Sequence, residues 1–200
     1  MRVLLISDSH GRGVGRVLEG MDPGLSVMTI WKGRKIPAIR GLYREKLRSI
    51  RRFAPAVVFI HVGHNDLVPH SLHNLRSLFS TVVLHQVQEL VQEVTETIPG
   101  VYIIVSSLLP RVIGDGFASD DVAKYNRLAK RFGEMVRSAS RVPGSTFFLS
   151  IVNRSLWGRI ARCEPLPGNH KDDGLHLDSE GRRKLALGWL RLLNAVRDMD

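Results

Sequence analysis

Residue types that together activate a hydroxyl group occur at widely separated points of the chain: Ser9 in Asp8-Ser9-His10, and Asp173 with His176 in DDGLHLDSEG over 172–181. A serine hydroxyl is a poor nucleophile until a base removes its proton, so the chemistry needs an imidazole within hydrogen-bond reach and a carboxylate that fixes the imidazole's tautomer. A three-residue offset in a tight turn lets Asp173 reach Nδ1 of His176 while Nε2 points elsewhere. A tetrahedral intermediate also needs hydrogen-bond donors for its oxyanion. The candidates are the Ser9 amide, Gly33 in WKGRK, and Asn65 in HVGHNDL over 61–67. The triplet Asp8-Ser9-His10 also has the D-x-H form in which a carboxylate and an imidazole hold a metal, so two chemistries compete for the same residues.

These residues must be brought together by the elements around them. Short runs rich in Val, Ile and Leu read as strands: Val3 to Ile6, Ser26 to Trp31, Ala56 to Val62, Val101 to Ser106 and Thr146 to Leu149. They are nearly continuous in hydrophobicity, as strands buried on both faces should be. Helical periodicity lies between them, over 37–52, 81–98, 119–139 and 179–197. Strict alternation of strand and helix predicts an α/β fold, a three-layer α/β/α sandwich on a five-stranded parallel sheet. Sites in such sheets form at the carboxyl ends of strands, and Ser9, Asn65 and Ser107-Leu108 all follow strand ends. The 200 residues suit one domain spanning 1–200.

The separated stretches together resemble the SGNH (GDSL-like) hydrolase superfamily. Ser9 stands in its first block, Gly33 in its second, Gly63-x-Asn65-Asp66 in its third, and Asp173-x-x-His176 in its last. The likeness extends over nearly the whole chain. It implies a flavodoxin-like fold and hydrolysis of short acyl or O-acetyl esters without metal or cofactor. The catalytic residues would be Ser9, Asp173 and His176, with Ser9, Gly33 and Asn65 forming the oxyanion hole. Asp8 and Asp66 are expected to brace their loops through backbone N–H groups. Two positions depart from the pattern. Ser7 replaces a customary glycine and adds a Cβ at a sharp turn, and His64 stands where a small residue is usual, which places it in the expected substrate pocket. Either change would narrow that pocket or weaken activity. The chain is also similar to the esterase domains of retrotransposon proteins.

The metal alternative fails on its remaining ligands. A likeness to the binuclear metallophosphoesterases requires a Gly-Asp pair, an Asn-His pair and late histidines. Gly114-Asp115 lacks neighbouring ligands, Asn169-His170 comes too late, and GLHLD holds one histidine. A partial shell of hard ligands does not make a site.

Composition bounds the setting. The net charge is +10, concentrated in 40–53, 130–141 and 181–184, so nucleic acid or an anionic surface is a partner to consider beside a small acyl ester. That alternative would make the chain a weakly active or inactive module working through nucleic-acid or protein binding. Aromatic residues make up only 6% and do not interleave with the charge as base-stacking surfaces do. One cysteine excludes an internal disulfide framework. MRVLLIS ends too soon for a secretory signal, and no stretch reaches the roughly eighteen apolar residues of a membrane span. These features predict an intracellular protein, cytoplasmic or nuclear.

Overall fold

Strands that are apolar on both faces are stable only between two layers of helix. The computed structural model describes residues 1–67, 78–113, 119–140, 149–151, 156–159, 164–165, 168–171 and 176–198, and it resolves the sheet in that way. Five strands, β1 (Arg2–Ser7), β2 (Ser26–Trp31), β3 (Val57–His61), β4 (Tyr102–Ser106) and β5 (Leu149–Ile151), form one parallel sheet in the order β2-β1-β3-β4-β5. The helices are α1 (Val14–Met21), α2 (Ile36–Glu45), α3 (Leu47–Phe53), α4 (Leu78–Thr97), α5 (Ser119–Ala139) and α6 (Ser179–Arg197). A short antiparallel pair, β6 (Trp157–Arg159) and β7 (Glu164–Pro165), lies outside the main sheet.

Alternation along the strands sorts the core into two halves. Leu4, Ile6, Val58, Ile60, Ile103 and Val105 join a cluster with side chains of α2, α4 and α5. Their neighbours Val3, Leu5, Val57, Phe59 and Ile104 join the opposite cluster with α1 and α6. Trp189 of α6 is fully buried there and stacks on Phe59 with ring centroids 4.9 Å apart. Among the described residues no helix is long and apolar enough to cross a membrane.

Helix α1 was not among the helices expected from periodicity, several boundaries shift by one to three residues, and two elements differ further. The last strand is described at Leu149–Ile151, where the predicted run ends, and residues 141–148 lie outside the described part. The stretch 37–52 is two helices that break at Lys46, whose N–H is shared among the carbonyls of Leu42, Tyr43 and Arg44. Neither glycine nor proline marks that break. Part of the basic run 40–53 is neutralised within the fold, because Arg40 pairs with Glu89 and Glu93, and Arg44 with Glu93, across α2 and α4.

The strand order turns around at β1. From it the chain crosses to β2 on one side, and β3 flanks it on the other, so their carboxyl ends open a crevice at the switch point. The chain leaves β1 through a 3₁₀ turn, Ser9–Gly11. Here the unusual Ser7 is accommodated: a Cβ on Gly11 would lie 2.0 Å from Ser7 Oγ, so the bulk added at one position is matched by its absence at the other. Ser7 is fully buried and its hydroxyl donates to the Asp8 carbonyl at 2.8 Å. Gly11→Ala is therefore expected to cost about 1–3 kcal/mol in urea unfolding, with Ser7→Gly in the same chain recovering part of the loss. An equal loss in the single and double variants would show that Ser7 is not the obstacle.

Candidate active site

The first strand delivers its functional residues through a buried carboxylate. Asp8 is fully buried, and its N–H donates to the His61 carbonyl at 3.2 Å, which continues the ladder between β1 and β3 past the last paired residues. Its Oδ1 accepts from the His10 N–H and from His10 Nδ1, both at 3.0 Å. Its Oδ2 accepts from the His64 N–H at 3.1 Å and from His64 Nδ1 at 2.9 Å. Burial alone would push Asp8 upward, but His64 and His10 outweigh it and hold the carboxyl well below the usual aspartate range. Four donors from the loops after β1 and β3 converge on one charge, and Ser9 lies between two of the residues so fixed.

His64 is not a wall of the substrate pocket, contrary to expectation. It is 1% exposed, and its Nε2 accepts the Leu109 N–H at 2.9 Å, so the ring proton sits on Nδ1 and points to Asp8. Burial, the chief cause, pushes its pKa down to about 4, so the ring is neutral at neutral pH. His10 stacks on it with centroids 3.9 Å apart and lies 5.4 Å from the His176 ring at 23° to it. His61 is fully buried, with Nδ1 3.0 Å from Ser106 Oγ, and burial holds its pKa well below the ordinary value.

The donor atoms of Asp8, His10 and His64 lie within 4.8 Å of one another, close enough to hold a metal ion on proximity alone. Their hydrogen bonding argues otherwise. Both imidazoles direct Nδ1–H to the carboxylate, both carboxylate oxygens also accept main-chain N–H groups, and the Leu109 amide fixes the His64 tautomer. A cation would displace a set of donors that already matches the acceptor.

The third strand delivers its residues through a left-handed glycine. Gly63 takes φ +113°, and its carbonyl accepts the N–H groups of Asp66 and Leu67, closing the loop that carries Asn65. Asn65 is partly exposed, with Nδ2 3.4 Å from the Arg34 carbonyl. The Asp66 carboxylate receives the Ile36 N–H at 3.2 and 3.3 Å and so fastens this loop to the start of α2, close behind Gly33. Burial chiefly raises Asp66 to about 6, against the Ile36 bond that lowers it. A Cβ placed on Gly33 would stand 4.0 Å from that of Ser9, so this loop passes over the serine.

His176 arrives from the far end of the chain. Its carbonyl accepts the Lys171 N–H at 2.9 Å, and the Asp178 N–H donates to the Asn169 carbonyl at 3.2 Å. Asp178 caps α6 by accepting the Gly181 N–H at 2.7 Å. Gly181 lets the helix approach closely, since a Cβ there would lie 2.2 Å from the Asn169 carbonyl oxygen. The outcome is that His176 Nε2 lies 3.3 Å from Ser9 Oγ, 167 residues away in sequence. Asp173 lies outside the described residues, as do 68–77 and 114–118.

Three features were missed in the sequence. A cavity of about 170 Å³ opens beside Ser9 and His176, walled by His10, Trp31 and Leu177 together with three cationic side chains. Asn126 of α5 clamps Arg111 by accepting its N–H at 2.8 Å and donating to its carbonyl at 2.9 Å. Leu109 contributes a main-chain donor to His64, which no residue pattern encodes.

No family profile matches the sequence, and no curated protein matches it by sequence. Solved structures do match the fold over almost the full chain. One is described as a GDSL-like lipase from Parabacteroides merdae, with TM-score 0.63 and 18% identity, covering 95% of this chain and 94% of that one. An acetyl xylan esterase matches with TM-score 0.61 and 16% identity over 96% and 99% of the two chains. An esterase from a Pseudoalteromonas species matches with TM-score 0.57 and 10% identity over 98% of each. At these identities the likeness is one of fold: the chain has the α/β/α architecture of the GDSL-like hydrolases.

The buried histidines set a pH dependence of stability. Once unfolded, His61 and His64 take up protons below their ordinary value of 6.5, which the folded chain refuses until far lower pH. The unfolded state then holds more protons, so each ring lowers stability by up to about 1.4 kcal/mol per pH unit of acidification. Asp66, raised to about 6, acts in the opposite sense between 6 and its ordinary 3.8, one group against two. The urea midpoint is expected to be lower at pH 5 than at pH 7. An equal or higher midpoint at pH 5 would contradict the neutral, buried state of these rings.

Proposed function

We propose that this chain, which has the fold of the GDSL-like hydrolases, is a metal-independent serine esterase acting on short acyl or acetyl esters. The observation that carries the reading is the 3.3 Å approach of His176 Nε2 to Ser9 Oγ, since no local sequence relation accounts for it. An uncomplexed site is often slightly long at this bond and tightens around substrate. Ser9 Oγ attacks the acyl carbon, and His176 takes the hydroxyl proton as the bond forms. The carbonyl oxygen becomes an oxyanion, held by the Ser9 and Gly33 N–H groups and by Asn65 Nδ2. Collapse expels the alcohol, which receives the proton from His176. A water molecule then attacks the acyl-serine with His176 again as base, releasing the acid and restoring Ser9. Asp173 is assigned the orientation of His176 through Nδ1. Asp8 and Asp66 take no part in proton transfer; they hold the loops.

Three measurements test this. A fluorophosphonate probe should label Ser9, located by mass spectrometry of the modified peptide. Hydrolysis of para-nitrophenyl acetate should survive chelator and fall by about a thousandfold or more in Ser9→Ala and His176→Ala. Asn65→Ala should lower kcat by about a hundredfold with KM little changed, because the amide acts on charge present only in the transition state. A folded wild type that neither takes the label nor turns over esters of several chain lengths would refute the assignment.

A further inference from the structure

The wall of the active cavity carries charge that the reaction itself does not need. Arg12 leaves the turn that bears Ser9, Lys171 precedes His176 on the segment that delivers it, and Arg182 lies in the first turns of α6. All three line the same cavity of about 170 Å³. Among the described residues none of the three side chains has an ion pair or hydrogen bond, whereas the adjacent Arg183 is paired with Glu180 and Arg197 with Asp22. Arg182 lies against Gly13, its Nη1 4.0 Å from where a Cβ would stand, which brings its head toward the backbone next to Arg12. The Arg12 guanidinium sits 5.0 Å from the ring centroid of Trp31, which is 40% exposed. A flat apolar surface thus borders a group of unneutralised cations.

We propose that the ester taken by this site bears a negative charge, a carboxylate or phosphate, on its alcohol portion. The inference rests on the hydrolase reading of Ser9 and His176. His176 must lie beside the leaving alcohol to return its proton, and Lys171 and Arg182 come from the same end of the chain as His176. The acyl side is instead assigned to Gly33 and Asn65. Two guanidinium groups suit carboxylate or phosphate oxygens, each able to donate two N–H groups to one anion. Trp31 supplies a face for the carbon skeleton of the alcohol.

The test compares para-acetoxybenzoate, whose leaving group carries a carboxylate, with its neutral methyl ester. The ratio of kcat/KM for the anionic ester to that for the neutral ester is expected to be about tenfold or more lower in Arg12→Gln or Arg182→Gln than in the wild type, mainly through KM of the anionic ester. Arg191→Gln, which removes an equal charge from an exposed position on α6, should leave the ratio unchanged. Raising salt from about 0.05 M to about 0.5 M should also lower the wild-type ratio. A ratio unaltered by both arginine changes, with normal turnover of the neutral ester, overturns the proposal while leaving the esterase standing. So does a stronger charge preference for para-nitrophenyl hemisuccinate, whose carboxylate lies on the acyl part. Failure to hydrolyse either ester, with Ser9 unlabelled by fluorophosphonate, overturns the hydrolase reading and this proposal with it.

Discussion

A carboxylate stripped of water stays ionised only where protein donors replace the hydration it has lost. At Asp8 those donors are two main-chain N–H groups and two imidazole N–H groups, drawn from the loops after β1 and β3. The dependence is mutual: the charge is tolerable only with both loops in place, and the loops are held at that separation by the charge. Removing the charge would strand four buried donors at once, and breaking a comparable buried polar set costs about 3–5 kcal/mol. Leu109 brings in the end of β4, because its N–H occupies the second nitrogen of His64 and so decides which nitrogen faces Asp8. The position of Ser9 is inherited from three strand ends through one carboxylate.

The opposite wall of the site is built by different means. The described residues ahead of α6 are pinned by main-chain bonds between Lys171 and His176 and between Asp178 and Asn169, and by the close seat of Gly181 on Asn169. Lys184 reinforces the seat by donating to Asn169 Oδ1 at 2.8 Å. The two halves meet where His176 faces Ser9.

Much of the fold was legible because β-strands buried on both faces leave an unbroken apolar signature, and Val3 to Ile6 and Val57 to Ile60 carry it. The helices over 119–139 and 179–197 were legible from period alone, and their observed limits coincide with the expected ones. The break at Lys46 was not, since it depends on how α2 and α3 settle on the core and uses no turn-forming residue. In the site, residues with chemical side chains at motif spacing could be named, and the structure brings Ser9 and His176 together. What stayed hidden were partners defined only in three dimensions. The Leu109 amide carries no local pattern, nothing local gathers Arg12, Lys171 and Arg182 at one cavity, and His64 was assigned to the pocket because sequence proximity to Asn65 says nothing about which way a ring turns.

The two departures from the family pattern illustrate the same point in energetic terms. Ser7 and His64 both add atoms where small residues are customary, and added atoms near a nucleophile suggest a narrower pocket. Both side chains instead lie behind the turn that carries Ser9. The bulk of Ser7 is taken up by the missing Cβ of Gly11, and both nitrogens of His64 are satisfied, one by Asp8 and one by Leu109. An added imidazole that completes two buried hydrogen bonds strengthens the scaffold and leaves the cavity to other residues. Beside the motif residues, the space next to Ser9 is lined by Arg12, Lys171 and Arg182, which lie outside the motif stretches, and by Trp31, which opens the stretch that carries Gly33.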